Sequence, residues 1–81
     1  MQRGKRQIRF AICLNAKADD DLQVGKVYRL LPDSGGSALG CFRVIDESGE
    51  DYLYAARRFM EVTIPEKGRN RLLKAVKPVS A

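Results

Sequence analysis

The sequence predicts a small all-β protein in which five short strands close into a barrel. Apolar and polar residues alternate over most of the chain, and an alternation of period two is typical of strands. The segment Asp46-Glu47-Ser48-Gly49 has the composition of a tight turn, in which Gly49 suits a positive φ. A chain of 81 residues is too short for two layers, and closure into a barrel removes exposed sheet edges.

The five strands are bounded by polar residues, glycines or a proline. In the first strand one face carries Ile8, Phe10, Ile12 and Leu14, and we expect it to be the core face, whereas the other face carries Arg9, Ala11 and Cys13. Pro32 ends the second strand because proline cannot donate to a β-ladder. The strands are predicted at residues 7–14, 25–31, 41–45, 50–55 and 59–63.

A single apolar core is expected inside this barrel. Each well-buried apolar side chain contributes about 1.5–3 kcal/mol, which offsets the entropy of the chain only narrowly. The side chains expected to fill the core are Ile8, Phe10, Ile12, Val27, Leu30, Val44 and Val62.

The connections between the strands differ in character. Residues 15–25 form a long polar excursion after the first strand. Residues 32–40 contain three glycines and predict a flexible loop. Residues 55–59 predict a short helical or 3₁₀ turn before the last strand.

The chain divides into a basic N-terminal arm at residues 1–7, the barrel at 8–64 and a basic tail with a short helix at 65–81. Pro65 suits the first turn of a helix, whereas Gly68 costs about 1 kcal/mol relative to alanine inside one. The apolar residues expected to cover an open end of the barrel are Leu72, Leu73 and Val76.

The net charge of +5 is unevenly distributed. Residues 1–9 carry four basic residues and residues 67–81 carry five, whereas residues 10–66 carry six basic and ten acidic residues. An acidic body therefore has two basic ends. Such ends attract phosphate-rich partners or acidic protein surfaces, or they simply keep a small protein in solution.

Cysteine content and hydropathy indicate a cytoplasmic protein with no cofactor. Cys13 and Cys41 are the only cysteines, they have no CxxC spacing, and the chain has no histidine, so a zinc site is not expected. The apolar run at residues 10–14 is too short for a signal peptide, and no stretch is long enough to span a membrane. Both thiols are expected to be reduced and packed as small apolar groups.

The order of these features resembles an SH3-type barrel over residues 8–64. Ala11 to Asn15 corresponds to the alanine-leucine-tyrosine motif of the first strand in that family. ADDDLQVGKVYRLL resembles its acidic first loop and second strand, GCFRVIDESGEDYLY its third and fourth strands, and AARRFMEV its 3₁₀ turn and last strand. GKVYRLLPD and RVIDESGEDYLY also resemble a group of short bacterial proteins of no assigned function.

The aromatic groove with which eukaryotic SH3 domains bind proline-rich peptides is not expected here. Cys13 and Asn15 correspond to groove tyrosines of the first strand, and Cys41 corresponds to the groove tryptophan. Alanine (Ala55 or Ala56) replaces the groove proline, and Phe59 replaces the tyrosine that follows it. Polyproline helices need flat apolar grooves, so the resemblance implies the fold without binding of PxxP peptides.

The acidic residues do not predict catalysis. Asp46, Glu47, Glu50 and Asp51 flank Gly49, and a solvated hairpin tip has neither a cleft nor the desolvation that acid catalysis needs. No histidine is present to activate a serine or cysteine. The loop residues Asp19, Asp20 and Asp21 lack the alternation of a calcium loop and predict a solvated loop or a surface for a basic partner. The sequence therefore predicts a protein without enzymatic activity.

Tyr52 and Tyr54 lie two residues apart and so share one face of their strand. They either pack the barrel with their hydroxyls at the surface or, if Leu53 is the core residue, form an exposed aromatic platform beside Arg57 and Arg58.

These features predict a small accessory module that binds a protein partner through the barrel surface or the first loop. The alternative is a nucleic-acid-binding protein that uses its two basic ends. The apolar face of the tail is too small for membrane insertion. The residues assigned to the nucleic-acid alternative are Arg3, Lys5, Arg6, Arg69, Arg71 and Lys74.

Overall fold

The computed structural model describes residues 8–76. Over this range the protein is mostly β, with five antiparallel strands in one curled sheet that forms half a barrel. The prediction of five strands is confirmed, and the largest difference at a strand boundary is two residues. The strands are β1 Arg9–Cys13, β2 Val27–Leu31, β3 Cys41–Ile45, β4 Asp51–Ala55 and β5 Phe59–Val62.

The order of the strands across the sheet is β4-β3-β2-β1-β5. Each connection along β1 to β4 joins neighbours, and β5 returns to pair with β1. No ladder joins β4 to β5 within residues 8–76. The sheet is therefore curled but not closed by hydrogen bonds, and β4 and β5 are its two edges.

The core lies on the opposite face of β1 from the one that we predicted. Ala11 and Cys13 are fully buried in the main cluster, whereas Phe10 is fully buried outside it and Leu14 is 51% exposed. Ala11 and Cys13 therefore point to the main cluster, and Phe10 points to the opposite face of the strand. The members of the main cluster are Ala11, Cys13, Leu22, Tyr28, Leu30, Val44 and Phe59.

The hairpin turn between β3 and β4 forms where it was expected. The Gly49 N–H donates to the Asp46 carbonyl at 3.0 Å, and Gly49 adopts a φ of +84°. The turn is not a solvated tip, however, because Asp46 has no exposed surface. The buried Asp46 carboxyl group accepts hydrogen bonds from the Ser48 N–H and from the Tyr54 hydroxyl.

The loop predicted to be flexible at residues 32–40 instead contains a short helix, α1, at Ser34–Ala38. Asp33 caps it by accepting from the Gly36 N–H at 2.8 Å, and Arg43 of β3 donates to the same carboxylate at 2.6 Å. A Cβ at Gly36 would lie 2.8 Å from Leu53 Cδ2. The glycine therefore allows α1 to lie close to β4, where the sequence suggested only flexibility.

Two helical segments surround β5. The 3₁₀ turn η1 at Ala56–Arg58 precedes it, and the helix α2 at Glu66–Ala75 follows it, beginning after Pro65. Leu72, Ala75 and Val76 line a cavity of about 460 Å³ together with Val27 and Tyr28 of β2. The C-terminal end of α2 therefore lies beside β2. The predicted arm at residues 1–7 and the last five residues of the tail lie outside the described part of the chain.

Candidate binding surface

The first loop, residues 14–26, is held against η1 by Arg58. The Arg58 guanidinium donates to the Asp20 carboxylate and, at 3.2 Å, to the Asn15 carbonyl. The Leu14 N–H donates to the Arg58 carbonyl at 2.8 Å. The Lys17 N–H and, after it, Arg58 hold the pKa of Asp20 below its usual range. This part of the loop is therefore ordered by bonds to Arg58, which is 38 positions from Asp20 and 43 from Asn15 along the chain.

The second half of the first loop is anchored to the sheet. The Glu47 N–H donates to the Asp21 carbonyl at 2.8 Å, and the Gln23 N–H donates to the Tyr28 hydroxyl at 2.8 Å. Leu22 between them is 7% exposed and belongs to the core cluster. With both halves fixed, the side chains of Asp19 and Asp21 remain at the surface.

Tyr54 packs into the structure. Its ring lies 6.1 Å from the Phe59 ring, and its hydroxyl donates to Asp46 Oδ2 at 2.6 Å. The Arg58 guanidinium lies 5.5 Å from the centre of the Tyr54 ring. Burial and the bond to Asp46 raise the pKa of Tyr54. Tyr54 therefore holds neighbouring residues of the surface in place and contributes little exposed surface itself.

Tyr52 lies on the same face as Tyr54, since the two pair with Val44 and Phe42 of β3. It is 50% exposed, and its hydroxyl donates to Glu50 at 3.1 Å. That bond and the nearby carboxylates, Asp21 among them, raise the pKa of Tyr52. Only one of the two rings that were considered for an aromatic platform is thus broadly exposed.

The structure brings several of the residues named from the sequence together. Arg58 contacts Asp20 and Tyr54, and the charge of Asp21 contributes to the raised pKa of Tyr52. Arg57 is exposed and forms no ion pair with any residue in the range 8–76.

A second polar cluster was not expected from the sequence. The Tyr28 hydroxyl donates to Glu47 Oε2 at 2.6 Å, and Lys26 Nζ lies 2.8 Å from the same oxygen. Burial and the bond to Glu47 raise the pKa of Tyr28. With Asp46, these residues connect the β3–β4 turn to β2 and to the first loop. Of this cluster the sequence indicated only Asp46, because an aspartate two residues before Ser48 favours a side-chain hydrogen bond within the turn.

Among the basic residues of α2, Lys74 lines the cavity of about 460 Å³ together with Lys26, Tyr28 and Glu47 of the second cluster. Arg71 and Lys74 are exposed, whereas Arg69 is partly buried and lines a cavity of about 130 Å³ beside β5. The buried Nε atoms of Arg69 and Arg29 have no acceptor among the described residues. Arg3, Lys5 and Arg6 belong to the arm outside the described range.

Within residues 8–76, no three acidic or cysteine side chains converge as a metal-binding group. Neither helix of this range has the length and apolar character that crossing a membrane requires. Comparisons with protein families, curated proteins and solved structures find nothing that matches this chain.

Proposed function

We propose that this protein is a small, non-enzymatic, cytoplasmic binding module of the SH3-like type. The strand order, with the last strand paired to the first, supports this architecture. The long first loop and the 3₁₀ turn before β5 support it as well. Proline-rich peptides are not its ligands, because Cys41 replaces the groove tryptophan and Phe59 is 6% exposed.

The proposed contact region, which we call the acidic–tyrosine surface, consists of Asp19, Asp21, Glu50 and Tyr52. The observation that carries the proposal is the fixation of the first loop by Arg58, which bonds Asp20 and Asn15 and lies over Tyr54. Because these bonds order the loop before any partner arrives, binding loses less conformational entropy than it would for a mobile loop.

The chemistry of this surface fits a lysine- or arginine-rich segment of a protein partner. Three of its four members are carboxylates, and the half-exposed ring of Tyr52 offers a face to a cation. Asp20 does not take part directly, since its carboxylate is occupied by Arg58 and by the Lys17 N–H.

A titration with a defined peptide tests this function. A ten-residue Lys/Arg-rich peptide is added to labelled protein and followed by amide chemical shifts, with a Glu-rich peptide of equal length as the negative control. We expect shifts at Tyr52 and residues 19–21. The variant Asp19→Asn/Asp21→Asn is expected to weaken binding at least about tenfold, whereas Glu66→Gln, which removes an exposed carboxylate on α2, leaves it unchanged.

Absence of shifts at the acidic–tyrosine surface, or equal binding by the asparagine variant, would contradict the proposal. Shifts confined to α2 would point to a different contact region.

The second candidate is nucleic-acid binding through α2. Four basic residues stand against the single acid Glu66 along this helix, and none forms an ion pair with a described residue. These basic residues are Lys67, Arg69, Arg71 and Lys74.

Salt dependence tests this candidate. Labelled duplex DNA and single-stranded RNA are titrated at low and physiological salt. Phosphate contacts give a slope of about −0.9 per neutralised duplex phosphate in a plot of log K against log salt. The variant Arg71→Ala/Lys74→Ala is expected to lower that slope by about two. No binding at low salt would eliminate the nucleic-acid function.

A further inference from the structure

The outer side of β4 carries backbone groups with no partner among residues 8–76. The Asp46 N–H donates to the Glu50 carbonyl at 3.0 Å, and the Ala56 N–H donates to the Gly40 carbonyl at 2.9 Å. Hydrogen-bonded pairs alternate along an antiparallel ladder, so Tyr52 and Tyr54 bond to β3. The three remaining residues of the strand direct their N–H and C=O groups to the free edge, and they are Asp51, Leu53 and Ala55.

Within residues 8–76, this edge lacks the usual protections against strand pairing, and α1 lies close to the Leu53 side chain but leaves it 41% exposed. Proteins block edges with lysine, proline, bulges or a covering segment, and β4 has the sequence DYLYA. Its one charge, Asp51, is bonded to Arg43 at 3.0 Å. Leu53 and Tyr52 are 41% and 50% exposed, so apolar surface extends along both faces of the edge.

The other edge of the sheet is different. β5 has four residues, and Glu61 occupies one of its free-edge positions. The carboxylate of Glu61 is bonded to Arg9 at 2.7 Å and is itself partly exposed. β5 is therefore shorter than β4 and offers only two free-edge residues, Phe59 and Glu61, for pairing with a further strand.

We propose that two copies of this chain pair antiparallel through β4, with a two-fold axis at Leu53. In this register Leu53 faces its counterpart, Asp51 faces Ala55 of the other copy, and Tyr52 faces Tyr54. About six backbone hydrogen bonds form, since each of the three pairs of free-edge residues exchanges two. The two curled sheets become one continuous sheet of ten strands.

Complementarity of the strand with itself selects this partner and this register. Centring the pair on Asp51 would place two carboxylates opposite each other, and like charges in that position are destabilising. Centring it on Tyr52 or Tyr54 leaves at least one free-edge residue of each β4 without a β4 partner. Only the register centred on Leu53 pairs every free-edge group and sets aromatic rings against each other across the sheet.

Hydrogen exchange of the purified chain tests the pairing directly. Amides of Tyr52 and Tyr54 are protected by β3 at every protein concentration. Amides of Asp51, Leu53 and Ala55 are expected to gain at least about tenfold protection as the concentration rises through the dimerisation range. Sedimentation equilibrium measures that range independently. A chain that stays monomeric at millimolar concentration, or equal exchange of both sets of amides at all concentrations, overturns the proposal.

Two variants with a matched control locate the interface. Leu53→Lys places two lysines opposite each other and is expected to raise the dimer dissociation constant at least about tenfold. Met60→Lys places a lysine at an apolar residue of the other edge strand, β5, that is 51% exposed, and leaves dimerisation unchanged. Ala55→Pro removes one edge donor from each copy while fitting the local backbone, whose φ is −58°. A dimer that survives both β4 variants has a different interface and refutes the assignment.

The pairing goes beyond the proposed function; both proposals involve Tyr52, but their tests are separate. The exchange and sedimentation experiments contain only this chain, whereas the function is tested with a basic peptide.

Discussion

Tyr54→Phe is the most informative single change in the interior, because it removes one hydroxyl and keeps the packed ring. The hydroxyl donates to Asp46 Oδ2 at 2.6 Å, and Asp46 has no exposed surface. A hydrogen bond to a carboxylate contributes about 1.5–3 kcal/mol, and here its loss also leaves a buried oxygen without that donor. We expect the free energy of unfolding to fall by about 2 kcal/mol.

Asp46→Ala removes the acceptor for Tyr54, for the Ser48 N–H and for the Ser48 hydroxyl together. The expected loss is about 3–5 kcal/mol, since a buried network is broken and a cavity remains. Adding Tyr54→Phe to Asp46→Ala is expected to change stability little further, because the hydroxyl has already lost its partner. The two changes are therefore strongly non-additive.

Urea unfolding followed by far-UV circular dichroism measures these effects as shifts of the midpoint at constant slope. Tyr52→Phe is the control: its hydroxyl bonds Glu50 in a side chain that is 50% exposed, so no measurable shift is expected. A loss below about 0.5 kcal/mol for Tyr54→Phe, or additive effects in the double variant, would show that the buried bond does not stabilise the fold.

Three further predictions follow from particular residues. Burial raises the pKa values of Tyr28 and Tyr54, so these tyrosines ionise first in the unfolded chain. The free energy of unfolding is therefore unaffected by this ionisation below about pH 10 and falls as the pH rises beyond it. We expect a smaller fall in Tyr28→Phe/Tyr54→Phe, measured by thermal unfolding at several pH values. Gly25→Ala is expected to lower the free energy of unfolding by about 1–2 kcal/mol because Gly25 has a φ of +86°, although nothing lies within 4 Å of a Cβ there. Gly35→Ala in α1 is expected to raise the free energy of unfolding by up to about 1 kcal/mol. Equal effects of the two changes in urea unfolding would contradict this prediction. Arg58→Lys loses the planar group that bonds Asp20 and Asn15 together, so the Lys17 amide, which donates to Asp20, is expected to exchange faster; unchanged exchange would mean that the loop is fixed by other contacts.

The strands and the hairpin turn could be predicted because their signals are local. Alternation located β1 to β5, and Gly49 marked the position that needs a positive φ. The face of β1 could not be predicted in the same way. Apolar residues occur on both faces of this strand, and the fold buries Ala11 and Cys13 in the main cluster and Phe10 on the opposite face.

The residues that hold the candidate surface in place do so through contacts between distant parts of the chain. Arg58 and Asp20 are 38 positions apart, and Tyr28 and Glu47 are 19 apart. A double arginine on a short turn and a run of aspartates each look like solvated charge when considered alone. Only the fold places one arginine over Tyr54 and against the first loop.

The interior and the proposed contact region are coupled through Tyr54. Its hydroxyl is held by the β3–β4 turn, its ring supports the Arg58 guanidinium, and Arg58 fixes the loop that carries Asp19 and Asp21. Loss of the Tyr54 hydroxyl is therefore expected to reduce both stability and the order of the loop. Loss of the Tyr52 ring removes contact area and leaves the loop unchanged. A surface built in this way can vary its contact residues without disturbing the fold, provided that Asp46, Tyr54 and Arg58 stay in place.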